Sequence, residues 1–259
     1  MTGAGGQVGR ALRRRLPGAA FATRAELDVT DAAAVAAAAA GADVIVHAAA
    51  MTDVDGCERD PEAAFAVNAT GAANVAATGV RVIHLSTDYV FPGSGAAAHA
   101  EDDPTGPVSA YGRSKLAGEE AVLAGARNLV VRTSWVYGEG RNFIRAILAA
   151  ERAGKPLRVV ADQRGRPTWA EDLAGALAYL AGRDDAGVVH VTGDGEPCTW
   201  ADLAELVVGH PVERITTEEF GAAAPRPRNS VLALDKARGL GVPLADWRGS
   251  VMRYLESER

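Results

Sequence analysis

Hydrophobic residues fall into two alternating patterns over the first two-thirds of the chain: short continuous runs, and longer stretches of helical period. The runs at 19–22, 43–48, 81–86 and 128–133 read as strands, the last three rich in valine and isoleucine. Between and after them the spacing predicts helices over 7–16, 31–40, 61–77, 109–125 and 142–153. Asp31 is placed to cap the second and Pro61 to open the third. Apolar strands alternating with helices predict an α/β fold, a Rossmann-like doubly wound parallel sheet with helices on both faces. The connection from Asn74 to Gly79 looks about a turn too short before the next strand, which a shorter helix would accommodate.

After about residue 155 the pattern loosens. Short strands at 156–160, 188–191 and 212–215 are separated by helices at 169–182 and 199–209, and a helix at 246–257 ends the chain. We read 1–155 as a dinucleotide-binding domain and 156–259 as mainly a small C-terminal substrate-binding lobe, with some interleaving.

Gly3, Gly6 and Gly9 form a Gly-x-x-Gly-x-x-Gly turn running into the first helix, where backbone N–H groups can approach a pyrophosphate. Such a turn should follow a mid-sheet strand, yet only Met1 and Thr2 precede it. The expectation is that the chain is incomplete at its start or is a composite of ordered segments. At the end of the second strand, Thr23 and Arg24 suit a 2′-phosphate and so NADPH, while nearby Glu26 and Asp28 would suit the free ribose of NADH.

Two further segments carry chemistry. Tyr111 and Lys115 lie one helical turn apart, a phenol beside an ammonium that could move a proton to or from a carbonyl oxygen. Free tyrosine titrates near ~10, and an adjacent cation would lower that value by favouring phenolate. Thr87, in Ser86-Thr87-Asp88-Tyr89, places a hydroxyl at a strand tip.

A net charge of −6 leaves no footprint for nucleic acid, and no apolar run is long enough to span a membrane. Cys57 and Cys198 read as reduced thiols of a cytoplasmic protein. The histidines have no metal-ligand spacing; no metal site is assigned, and a magnesium requirement is left open.

With these residues in place, the chain resembles the extended short-chain dehydrogenase/reductases, and within them the dTDP-4-dehydrorhamnose reductases, over essentially its whole length. The resemblance is carried by Gly5-Gly6-Gln7-Val8-Gly9, Glu26–Thr30, Asp43–Ala50, Thr52–Asp55, Ser86–Phe91, Tyr111–Glu119 and Arg132–Gly138. It continues through Asn142-Phe143, Asp162-Gln163, Pro167-Thr168, Thr199-Trp200 and Arg226–Ser230. It departs at His47, where asparagine is common, and at Met51, where an aromatic or histidine is common. The resemblance implies a catalytic set of Thr87, Tyr111 and Lys115. For the cofactor it implies Gly3, Gly6, Gln7 and Val8 at the diphosphate, and Asp28 and Val29 at the adenine. Ala50, Met51 and Thr52 would lie on the nicotinamide side, with Leu85, Tyr111 and Lys115 also at the cofactor. Val54, Thr87, Asp88, Tyr89, Trp135 and Asn142 would meet a dTDP-linked 4-keto-6-deoxy sugar. A diphosphate needs cationic partners, so Arg226, with Asn229, is assigned to it.

The implied reaction is reduction of the sugar's C4 ketone by NADPH, or by NADH, in a monomer or homodimer. Related dehydratases carry an acidic pair after the threonine. Tyr89 in the second of those positions argues for simple reduction. An epimerase that returns its hydride, and a non-catalytic NADP-binding regulatory subunit, remain the alternatives.

Overall fold

Four parallel strands form the centre of the computed structural model, which describes residues 1–258, in the order Val44–His47, Arg81–Thr87, Leu129–Thr133, Gly187–His190. The run at 188–191, read above with the lobe, is thus the fourth strand of the main sheet. Along the strands, side chains alternate between two buried faces. Val46, Ile83, Val131 and Val189 pack on Leu12 of the helix Gln7–Arg15 and on Leu173 and Leu177 of Ala170–Ala181. Ile45, Val82 and Val130 pack on Val35, Ala72, Val75 and Val122 on the opposite side. Each large aliphatic side chain enclosed in this way contributes about 1.5–3 kcal/mol, which is why the strands read as unbroken apolar runs.

In the place of the first strand stands Thr2, a single bridged residue. Thr2 bridges Ala22 on one side and His47 on the other, its N–H donating to Val46 O at 3.1 Å while Ala22 N donates to Met1 O at 2.8 Å. The expected strand at 19–22 is reduced to that one bridge at Ala22. The chain therefore leaves Thr2 toward one edge, returns across it, and continues outward from Val44–His47. This reversal is the topological switch point at which doubly wound sheets open a crevice at their strand ends.

The helix expected at 61–77 is interrupted. It forms as Pro61–Phe65, a π-helical turn Ala66–Thr70, and Gly71–Ala76, where Thr78 Oγ1 donates to Val75 O at 2.7 Å and ends it early. Asp31 and Asp60 cap the helices that follow them. A short helix, Val54–Arg59, was not anticipated. A separate cluster of Tyr137, Ile144, Leu203, Trp247, Val251 and Tyr254 holds together the helices Phe143–Arg152, Trp200–Val208 and Trp247–Ser257. Beside it, Arg158–Val160 pairs in parallel with Glu213–Ile215.

Candidate active site

A cleft of about 450 Å³ opens at the switch point, running from the glycine turn to Trp135 and Trp200. Gly3 has φ 73°, and a Cβ there would lie 2.6 Å from the Ala48 carbonyl, so only glycine permits this turn. Gly6 caps the helix Gln7–Arg15 without a side-chain hydrogen bond, which leaves first-turn N–H groups open for an anion. Four buried polar atoms of the cleft lining, Gln7 Oε1, Ser86 Oγ, Asp88 Oδ2 and Thr133 Oγ1, lack partners among the described residues. Buried polar groups are normally hydrogen-bonded, so these atoms and the glycine cradle fit a polar dinucleotide and its co-substrate.

The helix Ala110–Leu123 brings Tyr111 and Lys115 to the same wall. Ser109 caps it by accepting from Gly112 N at 3.1 Å. A Cβ at Gly112 would lie 2.3 Å from Tyr89 O, so glycine lets the helix start rest on the 88–90 turn beyond Thr87. Lys115 Nζ donates to Leu85 O at 2.8 Å and to His84 Nε2 at 3.2 Å. Burial pulls its amine down to about 8, with Glu119 acting in the opposite direction. Burial also pushes the Tyr111 phenol up, against a contribution from the Thr87 hydroxyl. In this arrangement the Lys115 ammonium is held by the Leu85 carbonyl and the His84 imidazole.

Thr87 Oγ1 donates to Asp88 Oδ1 at 2.8 Å and accepts from Tyr89 N at 3.2 Å. Burial raises the Asp88 carboxyl to about 6. Tyr89 packs edge-on against Tyr111, ring centroids 5.5 Å apart.

Of the other expected residues, Gly6, Val8, Ala50, Thr52, Val54 and Leu85 line the cleft. Trp135 lines it too, with φ 47°, the one non-glycine residue at positive φ among the described residues. Its indole stacks on Trp200 with centroids 3.7 Å apart, while the Gly165 backbone closes against its edge. Strained backbone held by packing on both sides is characteristic of ligand-facing positions. Asn142 reaches the cleft, but its amide is engaged: Oδ1 accepts from Arg145 N, and Nδ2 donates to Gly138 O and Tyr254 Oη.

Thr23, Arg24, Asp28, Val29, Met51, Arg226 and Asn229 stand outside the lining. Thr23 lies beside Gly5 and gives both its N–H and hydroxyl to Glu26; Asp28 accepts from Thr30. Val29 is buried against Gly71. Arg226 is paired with Asp55, at 3.0 Å, and its neighbour in the loop, Asn229, holds Ala97 O. His47 is buried against His84, ring centroids 5.1 Å apart, and accepts or donates at Nδ1 to Thr2 Oγ1.

Sequence reasoning missed several residues. Asn68, on the π-helical turn, accepts from Met51 N at 2.8 Å and donates to Met51 O and Ser114 Oγ, tying the Met51 segment to the Tyr111 helix. Ser86 and Trp200 sat inside the motifs quoted above without being given roles. Thr133 sat inside one too, Arg141 adjoins one, and both also line the cleft.

Comparison with known proteins agrees with this architecture. The model of the RmlD substrate binding domain matches residues 1–259. A probable dTDP-4,6-dihydroxy-2-methyloxan-3-one 4-ketoreductase of Streptomyces antibioticus is 43% identical, covering 97% of this chain and 92% of its own. A dTDP-4-dehydrorhamnose reductase of Streptomyces griseus is 42% identical, covering 97% and 90%. Among solved structures, dTDP-4-dehydrorhamnose reductase of Bacillus anthracis in complex with NADP superposes with a TM-score of 0.92 at 32% identity, covering 99% of this chain and 97% of that one. The chain belongs to the RmlD substrate binding domain family, on a Rossmann-like reductase fold.

Proposed function

We propose that this protein reduces the C4 ketone of a dTDP-linked 4-keto-6-deoxyhexose, taking NADPH as reductant and accepting NADH. The observation that carries this reading is the meeting of Thr87, Tyr111 and Lys115 in one cleft with the glycine turn. The names of the relatives support the substrate class, and the NADP complex of the Bacillus anthracis protein supports the cofactor.

The cofactor, when bound, supplies hydride to C4. Gly3, Gly6, Gln7 and Val8 hold its diphosphate at the open helix N-terminus, with Asp28 and Val29 toward the adenine and Thr23 and Arg24 toward the 2′ position. Thr23 already serves Glu26, so Arg24, without a hydrogen bond among the described residues, is the freer partner for a 2′-phosphate. Ala50, Met51, Thr52 and Leu85 shape the nicotinamide end. Tyr111, whose burial keeps it protonated, donates its phenolic proton to the oxygen as charge develops there. Thr87, with its own hydrogen given to Asp88, stands as a fixed oxygen beside the phenol. Lys115 holds the Leu85 end of the strand and supplies positive charge beneath the reacting groups. Val54, Asp88, Tyr89 and Trp135 contact the sugar. Residues 156–258 form most of the substrate lobe, while their strand Gly187–His190 joins the main sheet and their helix Ala170–Ala181 packs on it. Binding energy on the nucleotide then positions the distant ketone.

Tyr111→Phe tests the assignment. It should bind NADPH normally by fluorescence titration, yet lose roughly 10²–10⁴-fold in turnover of a dTDP-4-keto sugar. Near-normal turnover would refute it.

A further inference from the structure

A sugar nucleotide brings a diphosphate that must be matched by positive charge when it leaves water. The sequence pointed to Arg226 for this task. In the structure that guanidinium lies on Asp55, at 3.2 and 3.0 Å, behind the cleft wall, so its charge is already neutralised. The lining of the cleft contains two cationic side chains, Lys115 and Arg141. Lys115 is buried and engaged with Leu85 O and His84. Arg141 is exposed and makes no hydrogen bond or ion pair among the described residues.

The backbone that carries Arg141 is nevertheless fixed. On one side Glu139 pairs with Arg10 at 3.2 Å, and on the other Asn142 caps the helix Phe143–Arg152 and is held by Tyr254. A free guanidinium on an anchored segment, opening into a cleft, is arranged to meet a ligand. Two diphosphates would share this cleft. The cofactor's has the open N-terminus of Gln7–Arg15. Arg141 precedes Asn142, and it lines the same cleft as Trp135, Asn142 and Trp200, so with the cofactor's diphosphate held at the helix N-terminus its guanidinium is left for the second one.

We infer that Arg141 binds the diphosphate of the sugar-nucleotide substrate. The inference rests on the dTDP-sugar reading above and adds to it the residue that recognises the phosphates.

The test is isothermal titration of dTDP, and separately of thymidine, into the NADP⁺-loaded protein and its Arg141→Ala, Arg141→Lys and Arg226→Ala variants. Charge-assisted hydrogen bonds of this kind make Arg141→Ala roughly 10- to 100-fold weaker for dTDP, with KM for the sugar nucleotide rising more than kcat falls. Arg141→Lys should fall between, since lysine keeps the charge without the fork. Thymidine and NADPH affinities should be the same in the wild type and Arg141→Ala. Unchanged dTDP affinity in Arg141→Ala, or an equal loss for NADPH, would overturn the inference. So would a dTDP defect confined to Arg226→Ala. A wild-type protein that binds NADPH but not dTDP would instead overturn the substrate reading itself.

Discussion

Two buried titratable groups of the cleft lining have opposite linkage to pH. Lys115 titrates at about 8 rather than 10.5 in the folded chain, so between those values the native state binds fewer protons than the unfolded one. Unfolding free energy therefore rises with pH across that window, and the cost of burying the ammonium, about 3 kcal/mol, is fully present below it. If the charge serves catalysis, kcat/KM for ketone reduction should decline as pH rises through about 8. Lys115→Arg should remove that decline, even at reduced activity, and a pH–rate series on both proteins decides it. Asp88 runs the other way, titrating at about 6 instead of 3.8. The native state binds more protons between those values, so stability is lost as pH rises through them. Asp88→Asn keeps an oxygen for the Thr87 hydroxyl and removes the buried charge. It should melt higher than the wild type at pH 7, by up to about 3 kcal/mol, with the difference vanishing near pH 4. A lower melting temperature at pH 7 would show that the carboxylate is compensated in the fold.

At the scale of elements, what the sequence made legible were the pieces whose burial is two-sided. Val44–His47, Arg81–Thr87 and Leu129–Thr133 are apolar on both faces and were readable as strands. The helix that carries Tyr111 and Lys115 was equally readable, because its period and the spacing of those two residues are local. The interruption at Ala66–Thr70 was not, since Ala-Val-Asn-Ala-Thr has no local reason to leave the α-helix. Its cause is tertiary: Asn68 must reach both Met51 and Ser114, and its carbonyl would sit 2.3 Å from a Cβ at Gly118. Arg141 and Trp200 escaped for a similar reason, as their position depends on how the later helices close over the strand ends. Besides the Lys115 contacts, a buried ion pair binds the Tyr111 helix to the sheet: Glu119 accepts from Arg132 Nε at 3.0 Å and Nη2 at 2.8 Å, both side chains buried. Glu119→Ala leaves the Arg132 charge enclosed without its partner, and should cost about 3–5 kcal/mol in denaturant unfolding. A loss below about 1 kcal/mol would mean that water reaches the arginine, as it does at exposed pairs.

For the molecule as a whole, the question is which reaction the assembled cleft can complete. A ketone reductase, a dehydratase and an epimerase can share a tyrosine, a lysine and a bound dinucleotide; they differ in the groups around them. Elimination of water needs an acid and a base beside the threonine. Here the second position is Tyr89, whose hydroxyl is pushed up by burial and by the Asp88 charge, so it cannot serve as a base near neutrality. Asp88 alone, hydrogen-bonded to Thr87, can supply one proton-transfer group but not a pair. An epimerase must let an oxidised sugar turn over and present its other face to the same dinucleotide. With Trp135 against the sugar, as proposed above, that turn is opposed, because Trp200 and the Gly165 backbone hold the indole in place. Such a cleft favours one pass of hydride in one orientation. One NADPH should then be oxidised for each ketone consumed, followed as absorbance loss against product sugar. Sugar converted with the cofactor regenerated, so that catalytic NADPH suffices, would place the protein among the epimerases despite its family.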